Sequence, residues 1–320
     1  WYFGNYPGLM NKAAGELSFE PFPQSEDEFL TMLARPEWRR HTPKVVEAWK
    51  YFSEGYQKFP GNIAFEWFGP LHHSIAWPLH LFPVDEPVSP SWILKNFPEV
   101  SGDRIGECLI YQHTLAEGLT LCREMYELWQ KGTDILESLR GDYSDDPARI
   151  ADINLARAIS LQMRSTLNLL AFYSLREEMF FERKDNLEAL RGIVQDEIRN
   201  SRSMKQLCEQ DSRLGYHSEA EGYLFFPEKL EARVALLEQL LDVDFPKFRL
   251  DAPFIAEYTG ENPVGAKSVC RRGTPSGNME KAGGTGISWT SYYDEQMLSI
   301  VVEGSEGKAF TVEIEPCRLW

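Results

Sequence analysis

The chain has 320 residues, 43% apolar and 26% charged, proportions that belong to an ordinary globular protein. Its formal net charge of −16 argues against nucleic acid and anionic membrane surfaces as partners, since both reward clusters of Lys and Arg. No apolar run reaches the roughly 18 residues that a membrane-spanning helix requires.

Residues 1–24 are aromatic and irregular, and the opening Trp-Tyr-Phe-Gly-Asn-Tyr-Pro-Gly run reads like the interior of a protein. No signal peptide is visible, and the chain is expected to begin partway into a longer polypeptide. Two short helices are predicted next. Ser25 and Glu28 have capping-box spacing ahead of Phe29, Leu30, Met32 and Leu33. Thr42 precedes Pro43, which suits a first helical position, and Val45, Val46, Trp49, Phe52, Tyr56 and Phe59 recur at three and four. Residues 60–104 are Pro-rich and carry Glu66-Trp67, His72-His73 and Trp77. A loop of that length within a compact domain is usually functional.

Helical punctuation dominates residues 105–241. Thr114 and Glu117 form a second capping box, followed by Leu119, Cys122, Met125, Tyr126, Trp129, Leu136 and Leu139. Asp146 as cap and Pro147 as first residue open a helix expected to run to about Arg183, which would make it about 50 Å long. Asp185-Asn186 marks a break before a helix ending near Glu209, and Pro227 starts the last one. Short turns between long amphipathic helices imply an antiparallel bundle. Beyond Asp242 the pattern changes: 287–293, 297–302 and the strictly alternating 308–315 read as strands. The expected fold class is mainly α, an antiparallel helical bundle, with a C-terminal antiparallel β module that is small or cut short, α+β overall. Three divisions follow: an aromatic 1–104 segment packed on the bundle, the bundle at 105–241, and the β module at 242–320.

The chemistry is easier to exclude than to assign. His-Glu-x-x-His, paired Glu-x-x-His and EF-hand patterns are missing, so no metal site is expected. Gly283-Gly284-Thr285-Gly286 lacks the Lys and the helix of a phosphate loop, and no cofactor is expected. The five Cys show no Cys-x-x-Cys spacing; Cys270 and Cys317 could pair in an oxidising compartment. One stretch stands out. Asp211 to Pro227 packs Asp211, Arg213, His217, Glu219 and Glu221 among Tyr216, Tyr223, Phe225 and Phe226, charged hydrogen-bonders beside aromatic faces. Its bland reading is a helix connector in which Asp211 caps and Arg213 pairs with a carboxylate. Its functional reading is that Arg213, His217 and Glu219 bond sugar hydroxyls while a ring stacks on the sugar face. Trp67 and Trp77 divide in the same way, between plugs for the bundle end and a sugar platform shared with Trp1, Tyr2 and Tyr6.

Two passages carry a family resemblance. Trp289, Tyr293-Asp294 and Leu298-x-Ile300, followed by Val312-x-Ile314-x-Pro316, resemble the opening half of a family 9-like carbohydrate-binding β-sandwich. The run from Trp1 to Asn11 is similar to the last strand and following loop of a glycosidase-like (β/α)8 barrel. Residues 106–241 then resemble the helical domain after the barrel in large polysaccharide-degrading proteins of gut Bacteroidetes type. The resemblance implies Trp1, Asn5 and Tyr6 at the catalytic face, and an acid and nucleophile upstream of Trp1. The expectation is therefore a carbohydrate-active protein, the C-terminal part of a glycoside hydrolase, secreted or periplasmic, with an upstream catalytic domain. A non-catalytic binding module with a helical spacer is the alternative, and an intracellular helical scaffold the third. The expected ligand-binding residues come from three segments: Trp1, Asn5 and Tyr6; Glu66, Trp67, His72, His73 and Trp77; and Asp211, Arg213, His217 and Glu219.

Overall fold

The structure, a computed structural model, describes residues 8–60, 74–84, 113–217 and 222–255, together with four short strands between 271 and 303. Helix α1, Leu9–Glu16, buries no side chain. Helix α2, Glu26–Trp38, is capped by the Ser25 hydroxyl, which accepts from the Glu28 amide, while the Glu28 carboxylate turns back to the Gln24 amide. Helix α3 is Thr42–Tyr56. Helix α4, Leu115–Glu137, opens on a complete capping box at Thr114 and Glu117. Asp146 accepts from the Ala148 and Arg149 amides to start α5, Pro147–Phe181, whose 35 residues extend about 50 Å. Helix α6 is Leu187–Gln210, and α7, Pro227–Gln239, winds through one π turn into the short α8, Phe245–Lys247.

Each helix packs on the next in sequence, from α2 through α7. Cross-helix pairs show that neighbours run antiparallel. Gln130 and Tyr126 of α4 meet Ser160 and Arg164 of α5, so advancing along one helix retreats along the other. Arg164 meets Asp196 while Asn154 meets Gln210, and Lys205 meets Glu231 while Arg202 meets Glu238. Such an array follows from short connections joining amphipathic helices.

The largest apolar cluster joins α4, α5, α6 and α7 through residues such as Met125, Leu170, Phe172, Val194 and Leu237, and takes in Trp77, Leu79 and Leu81 of the 74–84 segment. Phe245, Phe248 and Ile255 also belong to it, so the helical core runs past residue 241. A second cluster pins α2 and α3 on α4 and α5 through Trp38, Val45, Leu136 and Ile153. Both Cys122 and Cys208 are buried, and burial pushes their thiols up, to about 12 and about 11, which makes them packing groups. Cys108, Cys270 and Cys317 lie outside the described residues.

The α+β expectation is corrected here: the described fold is helical. Strands β1, Tyr216–His217, and β2, Gly222–Tyr223, form a two-residue ribbon inside the helical region. After it come β3, Arg271–Arg272, β4, Glu280–Lys281, β5, Ser288–Tyr293, and β6, Leu298–Glu303. Only β5 and β6 exceed two residues, and β3 runs parallel to β5, which an all-antiparallel module excludes. The expected strand at 308–315 lies outside the described residues. Among the described residues β5 pairs antiparallel with β4 and β6 and parallel with β3, a small four-stranded sheet. Alternation says that a segment can be two-faced; it does not say that enough partners exist to close a second layer.

Helices α3 and α4 approach closely at Gly132. A Cβ on Gly132 would sit 2.5 Å from a Phe52 ring carbon and 2.7 Å from the Ala48 carbonyl oxygen. Gly132→Ala is expected to cost about 1–3 kcal/mol by overpacking, read as a lower denaturation midpoint with an unchanged slope.

Candidate functional site

Helix α6 ends at Asp211, whose extended backbone turns the chain out of the helix. Its carboxylate accepts the Arg213 amide at 3.0 Å and pairs with the Arg213 guanidinium through both Nε and a terminal nitrogen. This two-armed pair closes a tight turn that ends at Gly215, where φ is +82° and an added Cβ would lie 2.2 Å from the Phe225 carbonyl oxygen. Only glycine fits that backbone and that approach. The β1–β2 ribbon then sets Tyr216 opposite Tyr223 and His217 opposite Gly222. The Tyr216 and Tyr223 rings meet edge to face with centroids 5.3 Å apart, and they stay 43% and 49% exposed. Tyr223 also donates its hydroxyl to the Ser212 carbonyl at 2.8 Å, tying the ribbon to the turn.

Below the ribbon, Leu214 and Phe225 are buried with Ile75 of the 74–84 segment and with Met204, Leu207, Cys208 and Leu230. Two of the three segments expected to carry ligand residues therefore meet in one apolar cluster. The 74–84 segment is held from beneath by buried charge. Arg233 of α7 donates to the Trp77 carbonyl at 2.8 Å, the Ser74 carbonyl at 3.2 Å, Ser201 Oγ at 2.6 Å and Glu197 at 2.7 Å. Glu197 of α6 also accepts from Ser165 and, at 2.7 Å, from Asn168, both on α5. Arg233 is 3% exposed and Glu197 1%, so each depends on the other for charge neutralisation. Further along, Arg176 donates to the His80 carbonyl at 2.8 Å, and the His80 amide donates to the Tyr173 hydroxyl at 3.3 Å. The segment has little helix or strand of its own, and α5 and α7 side chains take its carbonyls instead.

The expected residues fare differently. Asp211 and Arg213 are together, bound to each other. His217 has its backbone in β1, facing Gly222 in register. Trp77, 4% exposed, is part of the main core and so not a sugar platform. Trp1, Asn5, Tyr6, Glu66, Trp67, His72, His73 and Glu219 lie outside the described residues. Sequence reading missed Arg233 and Glu197 as the fastening of this site. A signal existed: both occupy the apolar stripe of their helices, Glu197 between Val194 and Ile198, Arg233 between Leu230 and Leu237. A charge at a core position is informative because it must be paired.

Asp211 is no general acid at neutral pH. The Arg213 guanidinium holds its carboxyl below the usual carboxylate range, against a smaller opposing effect of burial. Among the described residues no three His, Cys, Asp or Glu side chains converge as metal ligands, and no helix is long and apolar enough to cross a membrane. No protein-family model, no curated protein and no solved structure matches the chain.

Two outcomes follow from these pairs. Arg233→Met alone should cost about 3–5 kcal/mol, since it strands the Glu197 charge, and adding Glu197→Leu should recover part of that loss in chemical denaturation. The folded pKa of Asp211 lies below its unfolded value, so the stabilisation from its pair is complete above about pH 4 and is lost as pH falls through the folded value. Melting curves of wild type and Asp211→Asn should therefore differ at neutral pH and converge as the pH falls through the folded value.

Proposed function

We propose that the chain is part of a carbohydrate-active protein, and that the ribbon with its preceding turn forms one wall of a sugar-binding surface. The observation that supports this is the exposed Tyr216–Tyr223 pair held beside the Asp211–Arg213 pair on a fixed turn. Sugars present apolar C–H faces and a rim of hydroxyls, so a ring that keeps its face in water next to charged hydrogen-bonders matches them. Rigid placement matters as well, because a weak ligand gains when the protein has no ordering entropy left to lose. Gly215, the Tyr223–Ser212 hydrogen bond and the buried Leu214 and Phe225 supply that rigidity.

The role is recognition. A glycosidase needs one carboxyl protonated at working pH, and Asp211 is held ionised by Arg213. In this proposal the acid and nucleophile of a glycoside hydrolase reside in a separate domain of the same secreted or periplasmic protein. The helical array then carries one wall of the pocket. The alternative is a non-catalytic glycan-binding module, favoured by the extent to which buried side chains fasten the 74–84 segment as a rigid support.

A glycan array with the purified chain, followed by titration of the retained oligosaccharides, tests the proposal. Tyr216→Ala is expected to weaken binding about tenfold, with melting temperature nearly unchanged because the ring is exposed. Tyr223→Ala is expected to weaken binding about tenfold while also losing the Ser212 hydrogen bond, which Tyr223→Phe loses alone. Absence of any retained glycan, or unchanged affinity in the double variant, would overturn it.

A further inference from the structure

Helices α2 and α3 enclose a groove on a part of the fold distinct from the ribbon. It has a volume of about 420 Å3 and is lined by Asp27, Thr31, Arg35 and Arg39 from α2 and its C-cap, and by Thr42, Pro43, Val46 and Lys50 from α3. The spacing explains the lining. Asp27, Thr31 and Arg35 are spaced at four along α2, Arg39 follows at its C-cap, and Thr42, Val46 and Lys50 are spaced at four along the antiparallel α3. Charge is distributed unevenly along the groove. At its open end Lys50 pairs with Asp27, and Glu26 and Glu54 lie near enough to raise the Lys50 pKa further. At the elbow end stand Arg35 and Arg39, and among the described residues neither guanidinium has a hydrogen-bond or ion-pair partner. Unpaired neighbouring guanidiniums are unexpected on a chain with a net charge of −16, where carboxylates outnumber cations.

The backbone at the elbow adds an independent observation. Arg39 has φ +48° and ψ −117°, a left-handed conformation that suits glycine and strains a residue carrying a Cβ. A glycine would end α2 at less cost, so the strained position holds a guanidinium where the turn does not need one. The Thr42 hydroxyl fixes that turn by donating to the Arg39 carbonyl at 2.7 Å.

We propose that the elbow end of this groove is an oxyanion site, which takes the carboxylate or sulfate ester of a small polar ligand, such as an acidic sugar, between Arg35 and Arg39. Guanidinium matches both groups because its planar fork donates two parallel hydrogen bonds to a pair of oxygens. Thr31 lies one turn before Arg35 and offers a hydroxyl to the rest of the ligand. At the far end Lys50 is already paired with Asp27, so the elbow end is where an anionic group meets guanidiniums.

Calorimetric titration of the intact chain with glucuronate, glucose 6-sulfate and glucose provides the test. At least one anion is expected to bind with a Kd on the order of 1 mM, weakening as salt rises, while glucose leaves the groove untouched. The carboxylate and sulfate arms distinguish which oxyanion the site prefers. Arg35→Gln should reduce anion affinity about fivefold or more. Arg39→Gly should do the same while melting at or above the wild-type temperature, because glycine relieves the strained φ; this variant separates loss of ligand contact from loss of fold. Tyr216→Ala should leave anion binding unchanged, so the groove and the ribbon succeed or fail separately. Binding of neither anion, or full affinity in a chain carrying both Arg35→Gln and Arg39→Gly, would refute the site.

Discussion

The buried Arg233–Glu197 pair is the constraint on which the rest depends. It sits where α5, α6 and α7 come together, and each of its free valences goes to a different part of the chain. Glu197 binds Ser165 and Asn168 of α5, and Arg233 binds Ser201 of α6 and the carbonyls of Ser74 and Trp77. A pair of this kind is weak as a source of stability, because desolvating two charges offsets most of their attraction. It acts instead on specificity, because a packing of these three helices that separated the two charges would leave both buried and unpaired. The register of α6 against α7 and the path of the 74–84 segment are therefore set by the same atoms.

That segment shows how an irregular stretch can be held in a core. Its backbone cannot satisfy itself as a helix or a sheet would, so α5 and α7 supply donors: Arg233 to Ser74 and Trp77, Arg176 to His80. Arg176 is itself 1% exposed and lies over the Tyr173 and Phe180 rings, which replace part of the water it loses. With the carbonyls accounted for, Trp77, Leu79 and Leu81 enter the main core and Ile75 enters the cluster beneath the ribbon. The turn at 211–215 therefore rests on a support that α5 and α7 both fasten. This is the geometry in which exposed aromatic rings keep a definite orientation.

The helices were legible in the sequence because each is specified locally and redundantly. Asp146-Pro147 starts α5, Thr114 and Glu117 start α4, and apolar residues at three and four carry both through. The β module was misread for a reason of the same physical kind. The strands expected at 287–293 and 297–302 are present as β5 and β6. Alternation such as that at 308–315 is local, however, whereas a sheet requires partners whose identity is not local, and the register of β3 with β5 is parallel. Trp77 was ambiguous because a proline-flanked Trp suits a core plug and a sugar platform equally well until burial is known. Asp211 and Arg213 were legible as neighbours two residues apart, but their mutual satisfaction was not, since pairing depends on a turn that Gly215 and Phe225 impose together. Arg233 and Glu197 were visible as charges on apolar stripes, while their partnership across two helices was not.

The two surfaces differ in what the protein's own charge permits. A net charge of −16 repels anions at long range, so an anionic ligand can be held only where local guanidiniums outweigh that field at short distance. At the ribbon they do not: Arg213 is paired with Asp211 beside the exposed Tyr216 and Tyr223 rings. At the α2–α3 elbow they do, because the single lining carboxylate, Asp27, is taken by Lys50 at the other end of the groove. Salt should separate the two behaviours, since screening weakens an ionic contact and leaves ring stacking almost unaffected. The same helical array thus presents a charge-compensated face and a charge-uncompensated one. At the ribbon the arginine's carboxylate lies two residues away across a turn, whereas in the groove the one lining carboxylate sits at the other end.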